Sequence, residues 1–345
     1  MLVSAPRLAR TPLWGRRAVA AGVCLAVLAS LTLAPYLVSS SEQVRLRNAL
    51  LLDPLQPQGF DWQPDTVPPD FALETLAPDP AFVEAARQLG VFGMESDWER
   101  ALAIGGHLLR NPHLVGTPIQ SRLWGTYRGI LDEGRGYCGD FTRVFMALAL
   151  ASGLSVRAWS FSLDGFGGHG HIFPEVWNRQ RKQWQLLDVF NNFYAVSGAG
   201  VPLSALEFRN ALAQSSASLR LLPLAPTARA GYAVQERALD YYRSGLSQWY
   251  MSWGNNVFSY DRAFLVAALS PLSRALEQLG AIAQGVYPRI HILADASSQA
   301  QVKALMRLRR HLVWVGLADV LALLLVMGGA GAWLGGLRAQ GRVAA

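Results

Sequence analysis

Residues 136–142 read Gly-Tyr-Cys-Gly-Asp-Phe-Thr and stand immediately before a long apolar stretch. Apolar side chains recur through residues 141–150 with little polar interruption, which predicts a helix over 138–152 that is buried on nearly all sides. Gly153 is a typical helix stop. The sequence therefore places Cys138 at the amino-terminal end of a central helix, where free backbone N–H groups favour a thiolate.

The segments around this helix predict a small antiparallel sheet. Branched and aromatic residues cluster in three strand candidates, 156–161, 171–177 and 183–187. Apolar positions at three- and four-residue steps predict two further helices upstream, 95–110 and 121–131. One helix packed on an antiparallel sheet belongs to the α+β class.

A cysteine nucleophile needs a base, and the base needs an acid that fixes its tautomer and stabilises its charged form. His171 begins the second predicted strand, and Asp188 follows the third. The two residues flank a hairpin, so their separation of 17 residues can still bring them side by side. Their types and placement predict that Cys138, His171 and Asp188 act together.

Four motifs in this region resemble those of the transglutaminase-like superfamily and occur in the family's order. Gly136–Thr142 is similar to its Gly-x-Cys nucleophile motif, and residues 153–157, Gly-Leu-Ser-Val-Arg, resemble its Gly-Ile-Pro-Ala-Arg turn. Residues 171–176, His-Ile-Phe-Pro-Glu-Val, resemble its His-x-Trp-x-Glu-Val strand, and residues 184–188, Trp-Gln-Leu-Leu-Asp, its Trp-x-x-x-Asp strand. The resemblance covers about residues 95–195.

The resemblance implies a papain-like fold, in which the cysteine-bearing helix packs on the antiparallel sheet, and a triad at Cys138, His171 and Asp188. It also implies acyl chemistry on amides without a cofactor, in which a thioester forms and is then resolved by water or by an amine. Tyr137 and Glu175 are the candidates for an oxyanion donor and for a residue that supports the triad.

Two apolar segments, 18–38 and 312–336, are long enough to cross a hydrocarbon core of roughly 30 Å as helices. The four arginines of the tail 1–17 predict that this tail is cytoplasmic. Basic residues near the spans tie at six on each side. Two considerations decide the orientation. The first span usually sets the topology, and long domains translocate largely regardless of charge. We therefore expect a two-span protein of a bacterial inner membrane, with residues 39–311 extracytoplasmic.

The region between the spans divides by composition. Repeated prolines over 39–94 predict an irregular spacer, 95–200 form the predicted core, and 201–303 a mostly helical extension. The net charge of +7 comes from the chain ends, because residues 39–303 contain 22 basic and 23 acidic side chains. This balance argues against a nucleic-acid partner, which would need a basic excess to bind phosphates.

Three alternatives stay open. The domain could be a non-catalytic binding or scaffold module of an envelope or surface-polysaccharide assembly complex. His169 could join His171, Cys138 and Asp188 in a zinc site, although the triad predicts no metal because it needs His171 unligated. The aromatic residues of 241–260 are interpreted chiefly as core, with sugar stacking or anchoring at the membrane interface as alternatives.

The second apolar segment suggests further partners besides the lipid bilayer. Asp319 is costly in lipid and should face a helix or a polar cavity. Gly331 and Gly335 would allow another helix to approach closely. Residues 312–336 therefore predict a membrane-protein partner, a homodimer, or packing on the first span. The expected substrate is a protein, a peptide or an envelope glycan.

Overall fold

The computed structural model describes residues 13–53, 59–229 and 231–344. The chain forms two units, Leu51–Gln301 and Met1–Leu50 together with Val302–Ala345. Residues 1–12, which make up most of the predicted basic tail, and Pro54 and Pro57 of the predicted spacer lie outside the described residues.

The helices and strands follow one another along the chain without a repeated unit. The α-helices are α1 (Leu13–Leu31), α2 (Ser40–Leu51), α3 (Pro80–Gln88), α4 (Asp97–Leu108), α5 (Leu123–Glu133), α6 (Cys138–Ala151), α7 (Ala205–Ala213), α8 (Gln235–Ser244), α9 (Val257–Arg262), α10 (Phe264–Leu269), α11 (Arg274–Ala283) and α12 (Gln299–Ala344). The strands are β1 (Val156–Ser162), β2 (Gly170–Asn178), β3 (Gln183–Leu186), β4 (Tyr194–Val196), β5 (Arg220–Leu222), β6 (Trp249–Trp253) and β7 (Arg289–Ile292).

A five-stranded sheet in the order β3-β2-β1-β6-β7 forms the centre of the unit Leu51–Gln301, and every neighbouring pair is antiparallel. Alternate side chains of β1 belong to two different cores, as strand geometry requires. Val156 and Ala158 pack with α6, whereas Trp159 and Phe161 pack with residues of α7 and α8. The protein thus has the predicted α+β class, with the cysteine-bearing helix on one face of an antiparallel sheet.

The start of α6 is fixed by local contacts. Gly136 has a φ of +125°, in a region that L side chains rarely adopt, so glycine is needed in the turn that leads into the helix. A carboxylate oxygen of Asp140 accepts a hydrogen bond of 3.1 Å from the backbone N–H of Tyr137, which caps the first turn. The Thr142 hydroxyl donates to the Ile172 carbonyl at 3.2 Å and ties α6 to β2.

The prediction that 201–303 is mostly a helical extension is wrong in one important respect. This region supplies β6 and β7 to the main sheet, and β6 pairs directly with β1. A short, continuously apolar run such as Trp249–Trp253 has no period that separates strand from helix, which explains the error. β7 pairs in turn with β6 at the edge of the sheet.

The prediction of an irregular spacer over 39–94 is also corrected. The segment contains α2 and α3, and Pro80 opens α3 at a position where a helix needs no N–H donor. Phe60 and Phe71 are buried against the ring of Trp253, at centroid distances of 6.0 and 5.7 Å. In the described part of this segment, the prolines therefore mark turns and a helix start.

The unit made of the two chain ends contains α1 and most of α12, both long and apolar enough to cross a membrane by length and composition. The two helices pack closely. A Cβ on Gly22 would lie 2.7 Å from a backbone oxygen of α12, and one on Gly329 would lie 2.6 Å from a backbone oxygen of α1. The predicted contact glycines, Gly331 and Gly335, have open space around their Cβ positions within the described residues.

Burial of Trp249 leads to a stability prediction. The side chain is fully buried, and its ring packs against Phe173 and Phe161 at centroid distances of 5.4 and 5.8 Å. We expect Trp249→Ala to lower the free energy of unfolding by about 3–5 kcal/mol, because it removes apolar contacts and leaves a cavity. Urea unfolding of the detergent-solubilised chain measures this difference.

The matched control is Phe264→Ala, because the Phe264 side chain is 74% exposed. We expect this variant to change the free energy of unfolding by no more than about 0.5 kcal/mol, as is usual at exposed positions. An unchanged stability in Trp249→Ala would rule out the core interpretation and favour a ligand platform.

Candidate active site

His171 and Asp188 form a buried pair at one end of the sheet. His171 Nε2 lies 2.6 Å from Asp188 Oδ2, and both side chains are almost fully buried. His171 is the second residue of β2, and Asp188 follows β3. A bridge from Asp188 to Phe193, with backbone hydrogen bonds of 2.8 and 3.1 Å, fixes the turn that carries the carboxylate. The hairpin has brought the predicted base and acid together.

The carboxylate of Asp188 is saturated with hydrogen bonds. Besides the contact with His171, it accepts from the Tyr242 hydroxyl, from the Asn191 backbone N–H at 3.0 Å and from Asn191 Nδ2 at 3.1 Å. Burial by itself would raise the pKa of Asp188, but the charge of His171 and these donors outweigh burial and lower it. Asp188 therefore stays ionised at neutral pH although its side chain is fully buried.

The imidazole of His171 links Asp188 to the predicted nucleophile. Burial favours the neutral ring, but the charges of Asp188 and Cys138, with a side-chain hydrogen bond to each, raise the pKa of His171 to about 10. Because Nε2 is engaged by Asp188, Nδ1 is the ring nitrogen left for the thiol. The three side chains predicted to act together are thus connected in the order Cys138, His171, Asp188.

Cys138 is the first residue of α6, and its side chain is partly exposed. The N–H groups of Cys138 and Gly139 lie in the first turn, where an α-helix offers no carbonyl partner. The Asp140 carboxylate is occupied by other donors, because it caps Tyr137 and accepts a 3.0 Å hydrogen bond from Arg274. The helix start therefore offers free donors beside the sulfur.

Residues 94–189 match the family model described as the transglutaminase-like superfamily. This segment belongs to the transglutaminase-like superfamily. The match contains all three side chains of the triad and ends one residue after Asp188. Family membership supports a papain-like, cysteine-dependent enzyme at the general level. The strands β6 and β7 and the residue Tyr242 lie beyond the matched segment.

The comparisons with solved structures and with curated proteins find less similarity than the family model does. A crystal structure of a candidate cysteine protease from Cytophaga hutchinsonii is similar to this chain, with 19% sequence identity and a TM-score of 0.28. The alignment covers 50% of this chain and 55% of that protein. No curated protein matches the chain.

Glu175 does not support the triad of the transglutaminase-like segment directly. Its carboxylate is fully buried and pairs with Arg157 at 2.6 Å, while it also accepts from Trp159 Nε1 at 2.9 Å and from the Ala205 backbone at 2.7 Å. These contacts join β1, β2 and the start of α7. Glu175 thus holds the sheet to the extension, and the role predicted for it in supporting the triad stays a prediction.

The other predicted residues are more exposed. The Tyr137 side chain is half exposed at the start of α6, so its oxyanion role stays a prediction. The His169 side chain is 78% exposed and lies 3.4 Å from Asp164. Among the described residues, no group of three or more His, Cys, Asp or Glu side chains is arranged to hold a metal ion.

Sequence reasoning missed Tyr242 and Asn191, which surround the Asp188 carboxylate and also contact each other at 3.1 Å. The position of Asn191 can be predicted weakly from the sequence, because an Asp followed three residues later by an Asn is typical of a turn. Tyr242 lies 54 residues after Asp188 and was assigned only to an aromatic core. Its burial was anticipated, but its hydroxyl contact has no counterpart in the local sequence.

The His171–Asp188 pair predicts a pH-dependent contribution to stability. The pKa of His171 rises from 6.5 to about 10 on folding, so its stabilisation is complete below pH 6.5 and is lost as the pH approaches 10. Asp188, whose pKa is lowered from 3.8, loses its contribution only as the pH falls through the folded value. The destabilisation caused by His171→Gln should therefore be larger at pH 6 than at pH 9.5.

Urea unfolding of both chains at the two pH values measures this difference. His113→Gln, which replaces an exposed histidine, is the control and should show no such pH dependence. An equal loss of stability at both pH values would mean that His171 is not charged in the folded protein.

Proposed function

We propose that this protein is a membrane-anchored cysteine enzyme that transfers or hydrolyses the acyl group of an amide through Cys138, His171 and Asp188. The observation that carries the proposal is the buried His171–Asp188 pair, which keeps the imidazole charged and directed at a cysteine on a helix N-terminus. If His171 had only a structural role, a second hydrogen bond to the partly exposed Cys138 thiol would add little to the stability of the fold.

In the first step, the Cys138 thiolate attacks the carbonyl carbon of the substrate amide and forms a carbon–sulfur bond. Negative charge moves to the carbonyl oxygen, and the unpaired N–H groups at the start of α6 can donate to it. His171 then gives its proton to the amide nitrogen as the carbon–nitrogen bond breaks. The products are a thioester on Cys138 and a free amine.

In the second step, neutral His171 takes a proton from a water molecule or from an acceptor amine, which attacks the thioester carbon. The carbon–sulfur bond breaks and restores the thiolate and the imidazolium. Asp188 keeps its charge throughout and holds the ring by its bond to Nε2. Water gives a hydrolysed amide, and an amine gives a new amide.

Membrane attachment is part of the proposal. The support is that α1 and α12 satisfy the length and composition of membrane spans and pack on each other through glycines. We propose that both cross a bacterial inner membrane and that the catalytic unit lies on its outer side, where peptides and envelope glycans carry the amides to be processed. A membrane-protein partner or homodimer through residues 312–336 remains a prediction.

The central chemical prediction concerns thiol reactivity. Iodoacetamide should alkylate Cys138 rapidly, and its reactivity should persist below pH 7, because the charged His171 stabilises the thiolate. His171→Ala should remove this reactivity at low pH. His169→Ala is the matched control, because His169 is exposed and should leave labelling unchanged. Mass spectrometry of the labelled peptides separates Cys138 from Cys24.

A non-catalytic scaffold predicts another result. Its Cys138 would react slowly at neutral pH, His171→Ala would not alter labelling, and Cys138→Ala would leave the cellular phenotype intact. This combination of results would contradict the enzymatic proposal.

The topology is tested separately by reporters inserted at residue 200, which lies in an exposed turn of the catalytic unit. Because the basic tail should stay in the cytoplasm, a reporter that is active only outside the cytoplasm should be active there. A cytoplasmic reporter that is active at this position would overturn the proposed orientation.

A further inference from the structure

Arg229 lies in the loop between β5 and α8, outside the transglutaminase-like segment. Its guanidinium carbon lies 5.9 Å from the ring centroid of Phe141 and 5.5 Å from that of Phe190. One terminal nitrogen donates a 2.8 Å hydrogen bond to the Phe190 carbonyl. Two aromatic rings and a carbonyl thus define where this cation sits.

The two aromatic rings that contact Arg229 belong to residues close to the triad in sequence. Phe141 lies one helical turn after Cys138 in α6, and Phe190 lies two residues after Asp188. The Phe190 ring packs on the rings of both Phe141 and His171, with centroid distances of 5.5 and 6.1 Å. The rings of Phe141 and Phe190 therefore lie beside the proposed reacting groups, and the Arg229 guanidinium packs on both rings.

Unlike other arginines that are buried or half-buried, Arg229 has no carboxylate partner among the described residues. Arg157, Arg209 and Arg274 each pair with a carboxylate. Within residues 13–53, 59–229 and 231–338, no carboxylate lies within 4.0 Å of the Arg229 guanidinium. Burial lowers the pKa of Arg229, and the charge of Asp188 only partly opposes this effect.

The loop that contains Arg229 is hydrogen-bonded to the turn that contains Asp188 and packs closely on it. Asn192 Nδ2 donates to the carbonyls of Ala225 and Arg229 at 3.0 and 2.9 Å. A Cβ on Gly231 would lie 2.2 Å from the Asn191 carbonyl oxygen, so this close approach needs glycine. The same turn thus fixes both the catalytic acid and the backbone of Arg229.

We propose that Arg229 binds a carboxylate of the substrate, which identifies the substrates as amides that carry a carboxylate near the scissile bond. An arginine has five N–H donors, and Arg229 gives one to Phe190 among the described residues. The planar guanidinium suits a carboxylate better than any neutral acceptor. The inference rests on the proposed function, because the carboxylate matters only if Cys138 attacks the neighbouring amide.

The test compares two alkylating agents on the full chain in detergent. Iodoacetate carries a carboxylate, whereas iodoacetamide is neutral and otherwise alike. In the natural chain, Arg229 should favour iodoacetate at Cys138. In Arg229→Gln, we expect the ratio of the iodoacetate rate to the iodoacetamide rate to fall about tenfold, because a charged hydrogen bond to the reagent is lost.

Two variants make the result specific. Arg229→Lys keeps the positive charge and should retain part of the preference. Arg237→Gln removes an exposed arginine of α8 and should leave the ratio unchanged. A ratio that is the same in Arg229→Gln and the natural chain would overturn the proposal. If iodoacetamide labels Cys138 slowly in the natural chain, the proposed function is contradicted instead. The ratio of the iodoacetate rate to the iodoacetamide rate can still be measured in that case.

The carboxylate can come from a peptide C-terminus or from an acidic side chain. Two peptides distinguish these sources by the protection that they give Cys138 against iodoacetamide. Acetyl-Gly-Gly offers a terminal carboxylate, and acetyl-Asp-Gly-amide offers a side-chain carboxylate. We expect one of them to protect the natural chain and to lose this effect in Arg229→Gln. Protection that survives this substitution, or no protection by either peptide, would contradict the site.

Discussion

The buried carboxylate of Asp188 is the group on which the rest of the site depends. An ionised carboxylate removed from water is strongly disfavoured unless donors replace the lost solvent. Here His171, Tyr242 and Asn191 provide those donors. The retained charge of Asp188 in turn raises the pKa of His171, and the charged imidazole faces Cys138. One buried charge with all its donors in place therefore links the core of the protein to the Cys138 thiol.

The extension beyond residue 200 packs directly on the transglutaminase-like segment. Tyr242 comes from α8 and reaches Asp188, while β6 completes the sheet beside β1. The Arg157–Glu175 pair binds the sheet to the start of α7. Residues beyond 189 thus contribute to the packing of the sheet, to the environment of Asp188 and, through Arg229, to the proposed substrate contact.

Local patterns were sufficient for the elements that touch the triad. The apolar run after Cys138 predicted α6 to within one residue of its end, and the hairpin spacing predicted the His171–Asp188 contact. Local patterns failed where distant segments meet. The proline-rich segment packs around Trp253, and the Tyr242 hydroxyl reaches a carboxylate 54 residues away. Such contacts depend on the tertiary fold, which residue spacing does not encode.

The protonation state of His171 decides whether the buried pair is an ion pair. Imidazole ¹⁵N chemical shifts, recorded against pH and assigned with His171→Gln, report whether each ring nitrogen carries a proton. We expect a doubly protonated ring at neutral pH that titrates near pH 10. A neutral His171 at pH 7, with an ordinary midpoint of about 6.5, would contradict the ion pair and the mechanism built on it.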